Sequence, residues 1–149
     1  MGVGVNGRSA MATRLHEGGC HCGAVRFEAE LPEPLTGGRC NCSICAMKGV
    51  LMIRVPLAAL RVTQGETVLA CYRFNTMVAQ HHFCSRCGIH LFHQTRSHPD
   101  QYGVSAAALD GVCPYADFPV VPVNDGVRHQ LDHGGVVRTL GTLRFEAEA

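Results

Sequence analysis

Three cysteines stand within six residues at Cys40-Asn41-Cys42-Ser43-Ile44-Cys45, and two further cysteine groups flank them, Cys20-His21-Cys22 upstream and Cys84-Ser85-Arg86-Cys87 downstream. Thiols set this close are better suited to gathering around a metal than to packing a core, and soft sulfur donors select zinc. The total of 9 cysteines is odd, which fits a disulfide scheme poorly. The opening Met1 to Thr13 is Gly-rich and polar and lacks the apolar centre of a secretory signal. No apolar run reaches the roughly 18 residues of a membrane span. These features predict a cytoplasmic protein whose thiols stay reduced.

Counting ligands divides the seven clustered thiols into a set of four and a set of three. Gly23 and Gly88 each follow the second cysteine of a pair. A glycine there adopts positive φ without steric cost, so a tight turn can aim both sulfurs at one ion. This pairs Cys20 and Cys22 with Cys84 and Cys87 as a closed structural site, in which zinc binding and folding are coupled by roughly 10 kcal/mol or more. The bland alternative is four reduced cysteines in a core. Cys40, Cys42 and Cys45 remain as three ligands. Three thiolates make zinc a poor activator of water but a good acceptor of a further soft ligand such as a thiolate. The spacing leaves this second site either open and reactive or closed by Cys71, Cys113 or a histidine. Cys71 reads as a small core residue in a strand, and Cys113 as a loop residue without a role. His81, His82, His90 and His93 surround the Cys84 pair, but a single strand histidine is more often hydrogen-bonded than ligating.

Gly at 17 and Pro at 7 in 149 residues favour short strands joined by turns. Residues 1–14 are expected to be a flexible leader, and residues 15–149 one zinc-binding domain. Val25, Phe27 and Ala29 alternate with Arg26, Glu28 and Glu30, which predicts a half-buried strand. Leu31 to Gly38 is a loop, Val50 to Val55 a buried strand, and Pro56 to Leu60 a helical turn begun by proline. Residues 61–66 and 67–74 read as a hairpin turning at Gly65. Strands are also expected over Asn75 to Phe83, Ile89 to Gln94, Tyr102 to Ala106 and Val136 to Phe145.

Three segments carry a family resemblance: Gly-Gly-Cys-His-Cys-Gly-Ala-Val-Arg-Phe (18–27), Cys-Asn-Cys-Ser-Ile-Cys (40–45) and Phe-Cys-Ser-Arg-Cys-Gly (83–88). They resemble the glutathione-dependent formaldehyde-activating family. Tyr72-Arg73-Phe74-Asn75-Thr76, Arg96-Ser97-His98-Pro99-Asp100 and Ala108-Leu109-Asp110 extend the likeness, several of them toward its centromere protein V-like branch. The resemblance reaches to about residue 112. It implies a mainly β, tent-like fold of antiparallel sheets with two Zn2+ per chain. One zinc would be structural on Cys20, Cys22, Cys84 and Cys87. The other would be the active centre on Cys40, Cys42 and Cys45. It also implies reversible condensation of formaldehyde with glutathione to S-hydroxymethylglutathione, a carbon–sulfur lyase reaction. Asn41 departs from the pattern, since many members carry there a histidine able to shuttle a proton near neutral pH.

Two functions follow. One is an enzyme that handles a small-thiol adduct at the second zinc, with Arg39, Lys48, Arg54 and Arg96 as candidates to hold the carboxylates of glutathione. The other is a non-catalytic zinc module that binds glutathione or a protein partner. A nucleic-acid role is disfavoured by a net charge of +1 and the absence of a basic run.

Overall fold

The computed structural model describes residues 12–149. Eleven short strands and one short helix follow in order: β1 (Thr13–Gly19), β2 (Arg26–Pro32), β3 (Arg39–Cys40), α1 (Ser43–Lys48), β4 (Met52–Pro56), β5 (Leu60–Gln64), β6 (Leu69–Tyr72), β7 (Gln80–Cys84), β8 (His90–Gln94), β9 (Gln101–Ser105), β10 (Val120–Asn124) and β11 (Thr139–Arg144). The expected leader lies mostly outside the described residues, and β1 begins at Thr13, inside the stretch assigned to it.

Strand order is β1-β2-β5 in one sheet, β4-β9-β8-β7-β6 in a second and β11-β10-β3 in a third. All pairings are antiparallel except the two-residue parallel contact of β3 with β10. The fold is therefore mainly β, as the Gly- and Pro-rich sequence suggests.

The alternation in β2 does what its period requires. Phe27, Ala29 and Leu31 are buried on one face, and they meet Ile53, Val55, Leu91 and Val104 of the five-stranded sheet in one core. Phe27 and Phe92 pack edge to face with ring centroids 6.1 Å apart. Each such apolar side chain contributes about 1.5–3 kcal/mol of transfer free energy on burial. This joint between two sheets holds the cysteine-bearing strand ends in place.

The expected hairpin at Gly65 is not formed. β5 pairs with β2, whereas β6 pairs with β7, so the chain crosses between sheets at Gly65. Gly65 does take a positive φ of 83°, but it caps a single 3-10 turn over Glu66–Val68 that redirects the chain. The strand expected over Asn75 to Phe83 begins only at Gln80. Asn75 and Met77 both take positive φ, which breaks any strand before it. Cys71 is exposed on β6, not a core residue.

Candidate functional site

The Cys20–Cys22 turn closes where β1 ends, and the Cys84–Cys87 turn where β7 ends. Gly23 and Gly88 have φ of 78° and 77°. Their N–H groups donate to the carbonyls of Cys20 at 3.1 Å and Cys84 at 2.8 Å. The four sulfurs lie within 4.8 Å of one another. Cys20 and Cys22 are 3.5 Å apart and Cys22 and Cys84 3.7 Å. A tetrahedral zinc with bonds of about 2.3 Å would hold sulfurs about 3.8 Å apart, and a disulfide would need about 2.05 Å. The donor set thus fits a metal ion and no disulfide, and all 9 cysteines are free. Backbone N–H groups from Cys22 and Ile89 bring the Cys87 thiol down to about 6, so a thiolate forms readily there.

The second cluster is built differently. Cys40 ends β3, Cys42 caps α1 and Cys45 lies one turn into that helix, so both helical cysteines share a face. Their three sulfurs also lie within 4.8 Å of one another, and no fourth His, Cys, Asp or Glu ligand atom joins them among the described residues. Cys71 and Cys113 are exposed and belong to neither cluster. Hydrogen bonds from Cys40 and Cys45 hold the Cys42 thiol down at about 2, and the same contacts push the thiols of Cys40 and Cys45 up.

A cavity of about 480 Å³ opens on this trio. Its walls include His81 and His93 from β7 and β8, Arg54 from β4, and the loops bearing Phe74-Asn75-Thr76 and Arg96-Ser97-His98. Two motifs whose purpose the sequence did not disclose thus converge on one hollow. Asp110 of the Ala108-Leu109-Asp110 motif forms an ion pair with Arg26, while the Asp110 N–H donates to the Glu17 carbonyl at 2.9 Å. That pair fastens the β1–β2 end and lies outside the cavity.

The far wall, residues 124–138, had no assigned role. Asn41 holds it. The Asn41 side-chain amide donates to Asp125 Oδ1 at 3.1 Å, its carbonyl oxygen accepts from the Val127 N–H at 3.1 Å, and its backbone N–H donates to the Asn124 carbonyl at 3.1 Å. At the opposite end Arg96 grips Asp132 through two nitrogens, at 2.8 and 2.7 Å. The only sequence signal for this wall is Asn41 itself, a residue with both donor and acceptor between two cysteines.

The four basic candidates separate. Arg39 donates to the Gly49 carbonyl and lines a smaller cavity of about 220 Å³ instead. Arg96 is neutralised by Asp132. Lys48 Nζ contacts His81 Nδ1 at 2.7 Å. Arg54 lines the large cavity and donates to His98 Nδ1 at 2.7 Å, with no carboxylate partner among the described residues. Burial keeps His81 neutral, down at about 4, with the Lys48 charge as the next cause.

The protein-family model for the glutathione-dependent formaldehyde-activating enzyme matches residues 15–120. The chain belongs to this family. A Halomonas elongata protein, named for glutathione-dependent formaldehyde activation, is 36% identical over 108 residues, covering 67% of this chain and 69% of that protein. A crystal structure of a Rhodobacter sphaeroides protein superposes with a TM-score of 0.64 at 45% identity, covering 66% of this chain and 91% of the other. The family match includes all seven clustered cysteines and ends before Asn124, so the wall latched by Asn41 lies beyond it. Among the described residues, no helix is long and apolar enough to cross a membrane.

Proposed function

We propose that the chain is a carbon–sulfur lyase that joins formaldehyde reversibly to glutathione, using two Zn2+ per chain. Cys20, Cys22, Cys84 and Cys87 hold the structural ion. Cys40, Cys42 and Cys45 hold the second, and through it they serve the reaction. The observation that carries this reading is the cavity of about 480 Å³ opening on three sulfurs that gain no fourth protein ligand among the described residues. Its size suits a drug-sized molecule such as a tripeptide. A zinc held by three thiolates supplies one thing here, a place where an incoming thiol is held as its thiolate. The family membership and the donor set support the same chemistry.

The chain's own residues do the rest. Arg54 offers its guanidinium to a glutathione carboxylate, since it has no carboxylate partner among the described residues. Arg96 and Asp132, together with Asn41 and Asp125, keep the 124–138 wall against the cavity. Asn41 is committed to that wall, so the proton transfers fall to other groups. A reducing compartment, the cytoplasm, suits a protein whose cysteines act as free thiolates.

Turnover tests the reading. Exchange between free formaldehyde and S-hydroxymethylglutathione, followed by NMR, is expected to run faster with protein than without. Cys42→Ser is expected to abolish that acceleration while the fold survives. Glutathione binding without any acceleration would instead identify a non-catalytic module.

A further inference from the structure

We propose that His81 donates a hydrogen bond from Nε2 to the oxygen of the aldehyde carbon, and that Lys48 fixes the imidazole tautomer that makes this possible. The inference rests on the lyase reading above and assigns a residue to the substrate oxygen. His81 is 4% exposed, and its Nε2 is buried without a hydrogen-bond partner. A buried polar nitrogen left alone is costly, so native structures rarely keep one without a use. This nitrogen belongs to a side chain that lines the cavity shared with Cys40, Cys42 and Cys45.

The other nitrogen is occupied. Lys48 Nζ lies 2.7 Å from His81 Nδ1, and an ammonium only donates. Nδ1 therefore accepts, and the single proton of the neutral ring resides on Nε2. Burial lowers Lys48 to about 8, which leaves the ammonium as its main form at neutral pH. The ring stacks on Phe74, with centroids 5.9 Å apart, and on His93, at 5.4 Å, contacts that restrain its rotation. Lys48 is the chain's single lysine, and α1 places it one turn beyond Cys45.

The donor has a specific use in carbon–sulfur bond formation. The thiolate lone pair forms the S–C bond, and the C=O π pair moves to oxygen. The resulting alkoxide accepts the Nε2–H hydrogen bond, then takes a proton from water in the open cavity. In the reverse direction the alcohol loses that proton, the C=O bond re-forms and the S–C pair returns to sulfur. A fixed donor aimed at a developing oxyanion is commonly worth about 10²–10³-fold in kcat. His81 thus touches the reacting atoms, while Lys48 is a positioning residue acting through it.

The test uses the full-length zinc-loaded protein. His81→Phe keeps the stacked ring but removes the donor, and is expected to lower kcat about 100-fold with little change in KM for glutathione. His81→Gln restores an N–H donor and is expected to recover part of that loss. Nitrogen-15 NMR of the wild type is expected to show the Nε2–H tautomer at His81, and Lys48→Met to mix the two tautomers while lowering kcat. If His81→Phe fails to fold, the glutamine and Lys48 variants decide the matter. Wild-type kcat in all three variants, or an Nδ1–H tautomer in the wild type, overturns this inference and leaves the lyase reading standing. An inactive wild type overturns both.

Discussion

Gly126 lies directly against the Cys40 sulfur: a β-carbon at this position would overlap Cys40 Sγ and stand 2.9 Å from Cys42 Cβ. The segment beyond β10 therefore packs on the cysteine trio itself. Gly126→Ala is expected to push either the wall or the sulfurs aside and to weaken metal binding at the trio by about 10–100-fold, the range for residues that orient metal ligands. Competition with a chromophoric chelator measures this. The Cys20/Cys22/Cys84/Cys87 site, none of whose atoms is among the nearest to a β-carbon at Gly126, should keep its affinity.

Asn41 contributes three hydrogen bonds to that wall. Asn41→Ala removes the side-chain contacts to Asp125 Oδ1 and to the Val127 N–H, although Asp125 keeps Arg128, and is expected to cost about 1–3 kcal/mol. Asn41→Asp should cost more at neutral pH, because it sets a carboxylate against Asp125, whose pKa the Asn41 amide now lowers. Thermal melts report the stability, and limited proteolysis within residues 126–138 reports the loosened wall.

Arg54 separates substrate binding from chemistry. Its guanidinium lines the cavity beside His98 and is proposed to take a carboxylate. Arg54→Ala is expected to raise KM for glutathione about tenfold or more with kcat nearly unchanged, the signature of binding equal in ground and transition states. A variant with lower kcat at constant KM would place Arg54 in the chemical step instead.

The buried histidines make the fold acid-sensitive. Burial first, then the Lys48 charge, push His90 down to about 3 from an ordinary 6.5. Below pH 6.5 the unfolded chain takes up a proton that the folded chain refuses until about pH 3, so stability falls as pH falls across this window. One such group contributes a slope of about 1.4 kcal/mol per pH unit. His90→Gln removes the group, and its melting temperature should decline less than that of the wild type between pH 6 and 4. Equal declines would show that His90 is not held neutral.

The cysteine groupings and the pleated alternation of β2 were legible because both are local. Metal-binding turns need close thiols and a positive-φ glycine, and Gly23 and Gly88 supply it. Gly65 reads from sequence as a hairpin turn because positive φ is shared by hairpins and by turns that send a chain to another sheet, and only tertiary pairing separates them. Cys71 reads as a small core residue because it lies in a strand, yet it is exposed on β6. The cavity itself could not be read from pattern. Phe74, Arg96 and residues 124–138 come from distant parts of the chain, and no periodicity connects Asn41 to Asp125 or Lys48 to His81.

Metal stoichiometry tests the central claim, a closed four-thiolate site beside an open three-thiolate one. Zinc is measured per chain before and after mild chelation, with circular dichroism followed in parallel. The account predicts two zinc ions per chain, of which one leaves while the fold stays intact, and glutathione should protect that ion from removal. A single zinc per chain, or two that leave only as the protein unfolds, would contradict it.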